Sequence, residues 1–152
     1  MKLAEALILR ADYQKRLAQL RERLLRNAKV QQGDKPAEDP ALLMVEMEEI
    51  SETLVQLIQR INRTNSASEL AGGTMLSDAL ASREVLRMRN EVYRELAEAA
   101  TVTQGRYSRS EIKFESTVEV AEIQGLADRL AVEYRELDAR IQEANWQLEL
   151  ME

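Results

Sequence analysis

Nine apolar or aromatic positions near the C-terminus, Val120, Ile123, Ala127, Leu130, Tyr134, Leu137, Ile141, Ala144 and Leu148, recur in an unbroken alternation of three- and four-residue steps. That period holds one seam of a helix against a neighbour over more than four heptads, so the segment reads as a long helix with coiled-coil-like packing. Two further seams follow the same logic. Ala6, Leu9, Tyr13, Leu17, Leu20, Leu24 and Ala28 mark a helix over about residues 3–30, with consecutive four-residue steps at Leu9, Tyr13 and Leu17 relaxing any supercoil. Leu43, Met47, Ile50, Leu54, Leu57, Ile61 and Thr64 mark another over about 40–64, opened by Asp39 as N-cap and Pro40 at the first helical position.

A helix over about 76–100, capped by Thr74 or Ser77, is less regular. Leu76, Leu80, Leu86, Tyr93 and Ala100 occupy one broad side, while Val85, Met88, Val92, Leu96 and Ala99 shift toward another. Apolar residues on two sides imply two neighbours. Residues 101–117 lack helical period, and Glu111, Ile112, Lys113, Phe114 and Glu115 alternate like a short extended arm. Ser116 and Glu119 have capping-box spacing and place the start of the last helix, about 118–149, near Val118. The expected architecture is all-α and one domain over 1–152: four long helices in an antiparallel bundle or as paired helical hairpins. Aromatic residues at 4%, 5 Gly and 2 Pro agree with long helices rather than a sandwich or barrel.

Composition narrows the chemistry. With no Cys and no His, thiolate metal sites, cysteine nucleophiles, Ser/His/Asp triads and imidazole-based catalysis are all absent. The apolar run at residues 6–9 is broken by Arg10 and Asp12, too short for a secretory core, and no stretch reaches the ~20 apolar residues that span a bilayer. The sequence therefore predicts a cytoplasmic protein without a membrane partner. Its 21 basic and 27 acidic residues, net −6, argue against a nucleic-acid partner. The charge is unevenly placed. Residues 1–31 carry 8 basic and 3 acidic groups, 32–64 carry 3 and 7, 65–110 carry 6 and 6, and 111–152 carry 4 and 11. A basic first helix can lie between acidic second and fourth helices, with each exposed pair contributing ~0–1 kcal/mol.

Three groups of residues are candidates for function. With Val120 at position a, Gly125, Val132, Ala139 and Trp146 all fall at position f, opposite the seam, and suggest an oligomer face anchored by Trp146. Arg106, Tyr107, Arg109 and Lys113 concentrate charge and hydroxyl groups in the longest non-helical stretch, where guanidinium forks can hold an anion or clamp the loop to acidic helices. If each helix reverses direction, Asn62, Arg63, Asn65 and Asn145 collect as a polar cluster at one end with the Gly72, Gly73 turn. Acidic spacings such as Glu46, Glu49 and Glu52 read as solvated faces making pairs like Glu136 with Arg140. A purely carboxylate Mg²⁺ or Ca²⁺ site is the alternative reading; the expectation is no metal and no cofactor.

Residues 106–113 and the run Tyr134-Arg135-Glu136-Leu137-Asp138-Ala139-Arg140-Ile141-Gln142-Glu143-Ala144-Asn145-Trp146 resemble a bacterial septicolysin-like family of helical proteins, as do residues 1–7 and 62–65. The resemblance spans essentially the whole chain and supplies no catalytic residues. Its label implies a membrane-active toxin. The residues themselves favour a non-catalytic, self-associating helical scaffold or interaction module. A phosphate- or small-ligand-binding protein, possibly an unusual enzyme, built on the 106–113 loop is the alternative.

Overall fold

The computed structural model describes residues 1–102 and 113–152. It is all-helical, with α1 (Leu3–Arg26), α2 (Pro40–Ala67), α3 (Leu76–Ala100) and α4 (Val120–Gln147). No strand forms among the described residues, and Lys113, Phe114 and Glu115 of the expected arm are irregular. The helices pack in pairs, α1 on α2 and α3 on α4. The chain divides into two compact units, Met1–Ser68 with Glu143–Glu152, and Glu69–Gln142.

In the first unit α1 and α2 form an antiparallel hairpin. Leu20, Leu43 and Ile50 make a buried cluster flanked by Tyr13, Leu17, Leu24 and Met47, so the two expected seams face each other. Asp39 caps α2 by accepting from the Ala41 N–H at 2.9 Å, with Pro40 at the first position. The expected α1 end near Val30 is corrected to Arg26. Asn27 stops the helix because its amide donates to the Arg23 carbonyl at 2.8 Å while its Oδ1 accepts from the Glu38 N–H at 3.0 Å. Beside it, the Arg23 guanidinium and Glu38 carboxylate form a forked ion pair, and Arg16 and Arg23 both reach Glu46. α2 runs three residues beyond Thr64, whose hydroxyl donates back to the Arg60 carbonyl at 2.9 Å and lets the helix continue.

In the second unit α3 lies antiparallel to α4. The α4 seam is turned inward, with Ala127, Leu130 and Ile141 buried and Ile123, Tyr134 and Leu137 half-buried. Facing it is an α3 seam that alternates three and four: Leu76, Ala79, Arg83, Leu86, Asn90, Tyr93, Ala97 and Ala100. Its two polar members are satisfied across the interface. Arg83 Nη1 meets Asp138 Oδ1 at 2.5 Å, and the Asn90 amide donates to the Ala127 carbonyl at 2.7 Å.

Three local expectations are corrected here. α3 is preceded by Met75, not capped by Thr74 or Ser77, because the turn is set by backbone pairing of Glu69 with Met75 and by Leu70 N–H donating to Thr74 O at 2.8 Å. Gly72 and Gly73, at φ +105 and +82, supply the left-handed backbone this turn needs. Arg140 spans to the same turn, donating to Ala71 O at 2.6 Å instead of pairing with Glu136. Finally, α4 starts at Val120 because the Ser116 hydroxyl is engaged with Val118, donating to its carbonyl at 2.6 Å.

Candidate interaction surfaces

Of the anion-loop residues, Arg106, Tyr107 and Arg109 lie outside the described residues, and Lys113 is exposed. Among the described residues no three carboxylates converge as metal ligands, and no helix is long and apolar enough to cross a membrane.

The expected polar end cluster is built from different residues. Asn62 and Arg63 are exposed, Asn65 is half-buried and Asn145 is buried. The bonds that tie this end of the first unit together come from Thr64 and Arg60. The Thr64 hydroxyl, fully buried, accepts from the Met151 N–H at 3.0 Å while donating to Arg60 O, so its proton and one lone pair are both engaged. Arg60 Nε donates to Met151 O at 3.0 Å. The same segment pairs with the start of α1. Leu3 N–H donates to Leu148 O and Leu150 N–H to Met1 O, both at 2.9 Å. Lys2 Nζ reaches Glu149 Oε1 at 2.7 Å and the Gln147 carbonyl at 3.0 Å. The hydrogen bond from Lys2 holds the Glu149 carboxyl below the usual carboxylate range. This is a structural clasp. Thr64 was visible in the sequence only as the last member of a seam.

Position f of α4 faces outward. Val132, Ala139 and Trp146 are exposed, Gly125 is half-exposed, and a Cβ added at Gly125 meets nothing within 4 Å.

A larger apolar surface lies on α3. Val85 is 52% exposed, Met88 49%, Val92 61% and Leu96 37%, and their spacing places them on one side, away from the α4-facing seam. At the C-terminal end of this stripe Leu96 and Ala99 also line an open groove of about 420 Å³ with Ala100, Val102 and Phe114, whose ring is 82% exposed. One edge of the stripe carries Glu84 and Glu91. Arg87 sits between them and pairs with both, at 2.8 and 3.3 Å, and the hydrogen bond from Arg87 holds the Glu84 carboxyl below its usual range. Arg87 also borders a shallow opening of about 270 Å³ between α3 and α4 with Asn90, Tyr134 and Arg135. Its charge is committed to the two glutamates. The sequence shows the stripe as an irregular second side of the helix; what marks it as open is that α4 covers the other seam.

The surfaces described offer apolar side chains in helical register and ion pairs closed within the chain. No curated protein matches the chain. A crystal structure of a functionally unknown conserved protein from Corynebacterium diphtheriae is 48% identical over 99% of both chains, with a TM-score of 0.93. The family model that matches, over residues 10–150, describes a family of unknown function, DUF6847, which corrects the septicolysin-like resemblance and removes the toxin reading that came with it. Because the matched residues take in nearly all of the sequence, this chain belongs to the DUF6847 family.

Proposed function

We propose that the protein is a self-associating helical interaction module with no catalysis of its own. The observation that supports this reading is the apolar stripe of α3, where Val85, Met88, Val92 and Leu96 stand exposed on one side of the helix. Closed homo-oligomers are the commonest way for a soluble chain to cover such a surface.

The test is light scattering coupled to size-exclusion chromatography from about 1 to about 200 μM. A dimer or higher closed oligomer, shifting toward monomer on dilution, is the expected result. A mass of one chain throughout the range would sink the proposal.

A further inference from the structure

We infer that the polar contacts between α3 and α4 select one register of the two helices, which apolar packing alone leaves able to slip by a heptad. The α3 seam repeats every seven residues: Leu76, Arg83, Asn90 and Ala97 share one heptad position, and Ala79, Leu86, Tyr93 and Ala100 share the other. Facing it, Val120, Ala127, Tyr134 and Ile141 of α4 share one position, and Ile123, Leu130 and Leu137 the other. A seven-residue repeat on both helices brings each seam back onto itself after a slip of one heptad, about 10 Å along the axis. The α3 side gives apolar packing little with which to resist that slip, since only Leu76, Ala79 and Ala97 of this helix are buried.

The polar partners do not repeat. Arg83 pairs with Asp138 at 2.5 Å, whereas Ala131 and Asn145, seven residues to either side of that carboxylate, carry no charge. A slipped register therefore leaves a half-buried guanidinium without its acceptor. Asn90 adds a second condition. Its amide donates to the Ala127 carbonyl at 2.7 Å, and it reaches the main chain there because the alanine side chain is short. One heptad away the corresponding residues are Val120 and Tyr134, whose larger side chains leave less room for that approach. Both contacts cost desolvation, so their net contribution to stability is small. Their contribution is to alignment, as for a polar residue set in a coiled-coil seam. One register gives this unit one outer surface.

The absence of cysteine lets the register be read by a pair of introduced thiols. Ser82→Cys on α3 and Gln124→Cys on α4 replace exposed residues and carry spin labels. The distance between the labels is measured by double electron–electron resonance, with labelled chain diluted in unlabelled protein so that only distances within one chain are read. Arg140→Ala is present throughout, so that its hydrogen bond to the Ala71 carbonyl does not hold the alignment by itself. With Arg83, Asn90 and Asp138 in place, one distance is expected. With Arg83→Leu, Asn90→Leu and Asp138→Leu together, the helical circular dichroism should persist while a second distance appears, displaced by as much as about 10 Å. A single unchanged distance in the leucine variant overturns the inference. Loss of the helical signal overturns it too, because the contacts would then hold the fold rather than choose its register.

Discussion

α2 and α3 are helices of similar length, 28 and 25 residues, yet they are anchored very differently. α2 buries Leu43, Ile50, Leu54, Leu57, Ile61 and Thr64 along one seam, five of them large aliphatic residues. α3 buries one leucine and two alanines, fills two seam positions with Arg83 and Asn90, and turns its valines and Met88 outward. Burial stabilises in proportion to the apolar area removed from water, so α2 is held by a fully buried aliphatic seam and α3 by fewer buried residues, half-buried Leu80, Leu86 and Tyr93, and two polar contacts. The difference between the two helices lies in how much of each apolar face its own chain covers.

The sharpest way to break the comparison is in α2. Ile61 is fully buried, and Ile61→Ala should cost about 2–5 kcal/mol because the methyl groups lost leave a cavity the helix seam cannot close. Urea unfolding monitored by circular dichroism measures this, and the loss should be the same at every protein concentration. A cost under about 1 kcal/mol would mean that α2 is no better anchored than α3.

Next in size is Thr64. Replacing it by valine preserves shape but leaves the Met151 N–H without its acceptor, at a cost of about 1–3 kcal/mol. Thr64→Ser keeps the hydroxyl and should recover most of that loss. If serine and valine destabilise equally, the residue acts by its methyl group and the clasp is incidental.

How much of this was legible from the residues follows from the same contrast. The α2 seam could be read in full because every large position in it is apolar, and Asp39 with Pro40 announced where it begins. The inner seam of α3 could not, because Arg83 and Asn90 look like members of a solvated face until Asp138 and the Ala127 carbonyl are seen opposite them. Leu80, taken as part of that side, sits one residue off the register that Ala79 and Arg83 follow. The start of α3 escaped for a related reason: its turn is fixed by Glu69 pairing with Met75 and by two glycines, not by a capping side chain next to the helix. Of the candidate sites, position f of α4 faces outward, and beside the proposed end cluster of Asn62, Arg63, Asn65 and Asn145 it is Arg60 and Thr64 that bond to Met151. Long-range partners are the information that a periodicity does not carry.

A smaller effect sharpens the α3 side. Arg83 and Asp138 are about a quarter to a third exposed, so their pairing should be modest. A double-mutant cycle of Arg83→Ala and Asp138→Ala should give a coupling of about 0.5–1 kcal/mol. A value near zero would leave α3 with hardly any polar hold on α4 and would strengthen the contrast with α2; a value above about 2 kcal/mol would weaken it.

The smallest effect concerns pH and separates carboxylates that join distant segments from one that does not. Glu38 is held below the usual carboxylate range by its hydrogen bond from Arg23 on α1, and Glu149 by that from Lys2. Glu84 is shifted the same way by Arg87, one turn along its own helix. In each case the unfolded chain takes up a proton at higher pH than the folded chain does. The stabilisation is therefore complete above the ordinary carboxylate range and is lost as pH falls through that range toward the depressed folded value. Thermal midpoints should be flat from about pH 8 to about pH 5 and decline below it. Glu38→Gln and Glu149→Gln should each lower the plateau slightly and make the acid decline shallower. Glu84→Gln should change the curve least, since an unfolded segment can still form a pair one helical turn apart. Midpoint curves that stay parallel to wild type for Glu38→Gln and Glu149→Gln would show that these pairs close in the structure without stabilising it, and would put the ion pairs of the first unit on the same footing as those along α3.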